Sequence, residues 1–252
     1  MPPPKNPFKA ALAQDGPPLL GIWLSLAAEG NAEALAGTSA DWLCVDSEHA
    51  PLDLDLLRRL LTAGQKANAL VARVPINETW VIKTFMDAGT QTLIVPMVDT
   101  VEQAKRAADA MRFPPDGNRG AAGGSRAADY GRIKDYLTTA NQEVCTIIQI
   151  ESPEAVSNIE AMAEVPGIDG MFIGPNDLAV THGYPGPSHP DVEKLIEQTI
   201  GRINAAGKAS AILSFDPEAA KRYIGYGARF VCVGSDTNLL TGGAERLLAG
   251  FR

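Results

Sequence analysis

The chain has 252 residues, 45% of them hydrophobic and 21% charged, with a formal net charge of -8. That length holds one large domain or two small ones, and the acidic balance argues against a nucleic-acid partner, because phosphate binding needs a basic surface. No apolar run approaches the ~18 residues that span a bilayer. The opening Met1-Pro2-Pro3-Pro4-Lys5-Asn6-Pro7 has no basic region followed by an apolar core, so neither a signal peptide nor a membrane is expected, and the expected location is the cytoplasm.

In chain order, a short helix (8–14) leads to a first strand (19–26) that contains Gly21 and Trp23. A helix (31–37) and a second strand (42–45) come next, the strand running into Asp46-Ser47-Glu48-His49. An amphipathic helix (54–66) has Leu56, Leu57, Leu60 and Leu61 on one face. The third strand (69–74) ends at Arg73-Val74-Pro75, and a helix (81–88) stops at Gly89. The fourth strand (92–95) is closed by Pro96, and a helix covers 101–111. The stretch 112–130, rich in Gly, Pro and Ala, is long for a structureless connection, and such loops are commonly functional. It is expected to close over the site through Arg126, from this or a neighbouring subunit. A helix (133–141) leads to the fifth strand (144–150), then a sixth (168–173), a Gly/Pro loop (181–190), a helix (192–206), a seventh strand (209–213), a helix (217–226), an eighth strand (230–233) and a last helix.

Eight strand–helix alternations with no linker have the size and rhythm of a single-domain (β/α)8 barrel over residues 1–252. Parallel strands buried on both faces explain the continuous apolar runs. A doubly wound open sheet is the alternative, but no G-x-G-x-x-G comes after the first strand. The three cysteines, Cys44, Cys145 and Cys232, lie inside strand-like runs and read as reduced, buried thiols.

In a barrel, catalytic groups sit at the C-terminal strand ends. Gathered there are Asp46, Glu48 and His49, then Arg73, then Gln149 and Glu151, then Asp177. Glu151 and Asp177 end consecutive strands, and two carboxylates that close repel unless a cation bridges them or one is protonated. With oxygen ligands only, the cation is Mg2+ or Mn2+, with Co2+ or Zn2+ also acceptable. The competing reading makes Glu151 and Asp177 helix N-caps. His49, with Asp46 three residues before it to orient the ring, has the arrangement of a general base. Arg73 pairs with Glu48 or Asp87, or holds a substrate oxyanion. Gln149 either donates to a substrate oxygen or ties down a loop. His182 and His189, in a Gly/Pro loop, are expected in solvent. Gly234-Ser235-Asp236 only faintly suggests a phosphate loop, since Asp236 would repel a phosphate.

Asp46-Ser47-Glu48-His49-Ala50-Pro51, Pro114-Pro115-Asp116-Gly117-Asn118-Arg119-Gly120, Gln149-Ile150-Glu151-Ser152 and Gly174-Pro175-Asn176-Asp177-Leu178 together resemble the HpcH/HpaI class II pyruvate aldolases from about Gly21 onward. The resemblance implies a (β/α)8 barrel of the phosphoenolpyruvate/pyruvate type. It implies a hexamer of dimers that exchange their last helix, a divalent metal, and cleavage of a 4-hydroxy-2-oxo acid to pyruvate and an aldehyde, as in aromatic catabolism. Carried over by motif, Glu151 and Asp177 are the metal ligands, Arg73 stabilises the enolate, and His49, oriented by Asp46, is the base. Gln149, Gly174, Pro175 and Asn176 contact the pyruvate unit, with Trp23 and Phe215 also in the substrate pocket. Ser47 stands where Gly is common, Asn176 replaces a small residue, and Phe215 replaces a smaller one. No strand ends in lysine, which argues against a Schiff base. Related activities open to the same enolate are 2-dehydro-3-deoxyglucarate cleavage and oxaloacetate decarboxylation. A non-catalytic barrel that binds 2-oxo acids is the alternative from another class.

Overall fold

Eight parallel strands pair in chain order and close on themselves: β1 (Leu19–Leu24), β2 (Trp42–Asp46), β3 (Leu70–Arg73), β4 (Thr92–Val95), β5 (Cys145–Ile150), β6 (Ile168–Ile173), β7 (Ala209–Leu213) and β8 (Phe230–Ser235). The structure is a computed structural model. It describes residues 4–252; Met1, Pro2 and Pro3, part of the proline-rich opening segment, lie outside the described residues. The expected (β/α)8 barrel is the observed one. Among the described residues, no helix is long and apolar enough to cross a membrane.

The strand period of two divides the apolar residues into two cores. Trp42 and Cys44 point into the barrel, as do Val71, Ile94, Ile147 and Phe172. Their neighbours Leu43, Val45, Ala72, Leu93, Val95, Ile148 and Ile173 face the surrounding helices. The same parity turns the last residues of several strands, Asp46, Arg73 and Gln149, into the mouth of the barrel. Below them an aromatic column fills the interior. Trp23 lies 5.6 Å from Phe172, Trp42 lies 5.9 Å from Phe230, and Phe8, from the helix Pro7–Leu12, plugs the bottom at 5.3 Å from Phe230. Each such buried ring contributes about 2–3 kcal/mol.

The β4, β6 and β7 bounds match those read from the sequence, and the other strands shift by one or two residues. Three short helices, Pro153–Ser157, Ile159–Ala163 and Pro175–Thr181, stand where no helix was expected. The three cysteines are free and buried, as expected. His182 and His189 are half-buried rather than in open solvent: the His182 ring bonds to Leu178 O at 2.8 Å, and His189 lies against Tyr184 with ring centres 4.6 Å apart.

The segment 112–130 departs from expectation. A barrel helix returns the chain to the N-terminal face, so the segment after the helix Val101–Met111 starts at the end opposite the strand tips. Arg126 donates to Ala88 O, at the C-terminal end of the helix Thr79–Asp87, at 2.8 Å. It therefore does not close over the site of its own chain. Nor is the stretch structureless: Phe113, Ala128, Ile133, Tyr136 and Ala140 form a small core of their own. The fully buried Arg119 stacks 4.4 Å over Phe113 and pairs with Asp87 at 2.7 Å.

Candidate active site

The register of β2 on β3 sets Asp46 opposite Arg73. Both point inward, so the pair forms across the strands: Arg73 Nε and Nη2 donate to the two Asp46 oxygens at 2.9 and 2.8 Å. Arg73 Nη1 lies 2.7 Å from Glu48 Oε2, and its guanidinium carbon lies 5.0 Å from the Trp23 ring centre. Of the partners weighed from sequence, Glu48 is therefore one; Asp87 is not, since it pairs with Arg119. Burial alone would raise the Asp46 carboxyl, but the hydrogen bonds and charge of Arg73 outweigh it and hold Asp46 below the usual carboxylate range.

Asp46 was also expected to orient the His49 ring. It does not: Asp46 Oδ1 accepts the backbone N–H groups of Glu48 and His49 at 3.0 and 3.4 Å, and its remaining capacity goes to Arg73. The group beside the ring is Glu48, with Oε2 3.9 Å from His49 Nε2, and the ring stays largely in solvent. Burial raises the Glu48 carboxyl, against the pull of Arg73, and the charges of Asp46 and Asp177 add to the rise.

Glu151 directly follows β5 and is 3% exposed. Its Oε1 accepts from Met97 N at 2.8 Å and its Oε2 from Gln149 Nε2 at 2.6 Å. Burial, with the charges of Glu48 and Asp177 adding to it, pushes Glu151 up to about 7, although the Met97 N–H pulls the other way. Glu151 is not a helix N-cap; Ser152 takes that role through its hydroxyl, which accepts from Ala155 N. Asp177 lies in the first turn of the helix Pro175–Thr181, whose N-cap Gly174 supplies no side chain. Gly174 is there for space: a Cβ on it would stand 2.4 Å from Glu151 Oε2 and 3.3 Å from Gln149 Nε2.

Pro175 is buried, whereas Asn176 is exposed. Phe215, at the rim after β7, shares with Pro175 and Asn176 the wall of a cavity of about 320 Å³. A larger cavity of about 530 Å³ opens between the helices Val101–Met111 and Ile159–Ala163 and contains none of the site residues. Trp23 is buried beneath Arg73, serving as its floor. Asp236 is buried and accepts from Ser25 N and Leu26 N at 2.9 and 3.2 Å, so its own carboxylate occupies the donors a phosphate after strand eight would use.

Met97 was not anticipated from sequence. Its φ of +54° is the left-handed region, costly for a non-glycine residue. That conformation accompanies the N–H bond to Glu151. Nothing at the sequence level marks it except Pro96, which ends β4 just before it.

Among the described residues, no three His, Cys, Asp or Glu side chains are grouped as a ready metal cage. A site with two carboxylate ligands has fewer than three such groups, and the charge inventory favours a cation. Asp46, Glu48, Glu151 and Asp177 face one guanidinium, Arg73, which Asp46 and Glu48 already neutralise. Glu151 is driven towards protonation, and Gln149 Oε1 is buried without a donor. This oxygen-rich, cation-poor donor set fits a hard divalent ion.

The fold and rim define a parallel (β/α)8 barrel with an anionic site at its strand tips. The chain belongs to the HpcH/HpaI aldolase/citrate lyase family, whose model matches residues 19–242. It is 46% identical to a 2-keto-3-deoxy-L-rhamnonate aldolase of Klebsiella pneumoniae, over 98% of this chain and 93% of that one. It is 45% identical to a 4-hydroxy-2-oxo-heptane-1,7-dioate aldolase of Escherichia coli, over 98% and 95%. A solved HpcH/HpaI aldolase/citrate lyase family protein from Burkholderia cenocepacia superposes with a TM-score of 0.95 at 40% identity, covering 98% of this chain and 100% of that one.

Proposed function

We propose that the protein reversibly cleaves 4-hydroxy-2-oxo acids to pyruvate and an aldehyde, using a divalent cation held by Glu151 and Asp177. The observation that carries this reading is the uncompensated negative charge around Glu151, which feels the charges of Glu48 and Asp177 at the strand tips while Arg73 is already paired. Mg2+ or Mn2+ suits the donor set, and Co2+ or Zn2+ would also be accepted. When bound, the cation supplies Lewis acidity towards the carboxylate and ketone oxygens of the substrate.

The chain's own residues do the rest. Arg73 uses three of its five N–H donors on Asp46 and Glu48, so one N–H on each terminal nitrogen remains to receive the enolate oxygen. Because the guanidinium is fixed on two carboxylates and on the Trp23 face, it needs little reorganisation as charge develops. His49 takes the 4-hydroxyl proton in cleavage, directly or through water, and in condensation removes a proton from the pyruvate methyl. Gln149, with the backbone of Gly174, Pro175 and Asn176, lines the pyruvate unit, and Phe215 at the rim faces the aldehyde.

The test is pyruvate release from a panel of 4-hydroxy-2-oxo acids. EDTA should abolish release and Mg2+ or Mn2+ restore it, while borohydride with pyruvate should leave the enzyme active. Turnover that persists after exhaustive metal removal would overturn the proposal. We further propose a hexamer of dimers that exchange the helix Asp236–Ala249; its Leu240 and Leu247, with the nearby Phe251, are exposed apolar side chains that a second copy would cover. Light scattering that gives a monomer mass would exclude this assembly.

A further inference from the structure

We propose that the N-terminal face of the barrel, opposite the strand tips, carries a second pocket that binds a small organic carboxylate through Arg126. The cavity there measures about 330 Å³ and is lined by the end of the helix Leu54–Ala63 and the chain just after it, the starts of β3 and β4, and the N-terminal segment. Among the described residues, Arg126 is its only charged lining residue, and no carboxylate lines it.

The half-buried guanidinium is held in place. Its Nη1 donates to Ala88 O at 2.8 Å, at the end of a helix whose carbonyls favour a cation. Gly89 makes room for it: φ there is +106°, and a Cβ would stand 2.6 Å from Arg126 Nη1. Arg73, Arg112, Arg119 and Arg222 each have a carboxylate within 4 Å. Arg126 has none among the described residues, so one backbone carbonyl leaves a whole positive charge facing the cavity.

A half-buried guanidinium without a counter-charge is an anion receptor, and its planar fork matches a carboxylate. The remaining walls choose among anions. Leu61, Leu70 and Pro7 are apolar, while Gln65 and Gln91 supply neutral amides. That mixture suits a carboxylate with an apolar body better than free phosphate, whose charge would face hydrocarbon.

Calorimetric titration of the metal-free protein in EDTA tests this, with benzoate as the probe, benzamide as its neutral isostere and inorganic phosphate as the bare anion. Benzoate should bind once per chain, at least tenfold tighter than benzamide or phosphate. Arg126→Gln should weaken benzoate at least tenfold, Arg126→Lys should retain part of the affinity, and Asp177→Ala at the strand tips should leave it unchanged. A thermal melt of each variant confirms that the fold is kept. Equal binding of benzamide, benzoate affinity indifferent to Arg126→Gln, or loss of affinity in Asp177→Ala would each overturn the proposal. So would absence of binding at about 10 mM, where a millimolar site would be mostly filled. A lower oligomer mass in Arg126→Gln would assign the pocket to an acidic side chain of a second copy and also overturn it.

Discussion

Replacing Glu151 by Gln should stabilise the metal-free protein at neutral pH, the reverse of what most core substitutions do. The folded-state pKa of Glu151 is about 7, against an ordinary 4.5. Between those values the folded protein binds more protons at this site than the unfolded chain, so stability falls as pH rises through the window. The penalty is absent below about 4.5, grows by about 1.4 kcal/mol per pH unit, and reaches about 3 kcal/mol above pH 7. Gln removes the charge and keeps an oxygen for the Met97 N–H. Gln149 can turn its amide, so that its orphaned Oε1 accepts from the new side-chain NH2. Urea denaturation in EDTA at one protomer concentration should therefore show the variant about 2–3 kcal/mol more stable at pH 8 and unchanged near pH 4.5. With Mn2+ at a hundred times its dissociation constant, wild type should gain about 2.7 kcal/mol and the variant little. A variant destabilised equally at both pH values, or stabilised by Mn2+ as much as wild type, would refute the charge argument.

Arg73→Ala should cost about 3–5 kcal/mol, because it strands two carboxylates that are mostly out of water; Arg73→Lys should recover part of that stability but little turnover, as melting curves and pyruvate release would show. Gly174→Ala places a methyl carbon 2.4 Å from Glu151 Oε2. It should weaken Mn2+ binding by about 10–100-fold, measured by titration, with a smaller effect on folding. His49→Ala should leave the melting temperature and metal affinity near wild type, since the ring is largely solvated, yet lower kcat by about 10²–10⁴-fold. Phe215→Ala, at an exposed rim position, should broaden the range of aldehydes accepted while leaving metal affinity unchanged, as a substrate panel would reveal.

The barrel was legible because its strands are buried on both faces. Runs such as Thr92–Val95 and Ala209–Leu213 are short, apolar and sharply bounded, so their limits read directly. The helices Pro153–Ser157 and Pro175–Thr181 were not legible, being too short to show a helical period. For the site, the sequence places the right groups at the strand ends, but Asp46 is not among the partners it suggests for Arg73; the alternation of Trp42, Cys44 and Asp46 and the register that sets Asp46 opposite Arg73 come from the structure. Side-chain torsions were not legible either. Asp46 and Glu48 both precede His49, and only the structure shows that the nearer residue is the one beside the ring. That Arg126 stays away from the site of its own chain was inferable from the barrel topology. A loop that comes after a barrel helix belongs to the N-terminal face, and the richness of 112–130 in glycine and arginine obscured that rule.

The aromatic column beneath Arg73 makes the site shallow from below. Trp23, Phe172, Phe230 and Trp42 fill the barrel to the level of the guanidinium. Close-packed rings of this kind give way only at considerable cost. A bulkier nucleophilic partner than pyruvate therefore cannot be admitted by deepening the pocket, whereas the rim at Asn176 and Phe215 can change without disturbing a single core contact of the column. Divergence within such a scaffold is channelled: the enolate half of the reaction is locked by packing, and the electrophile half is left to drift.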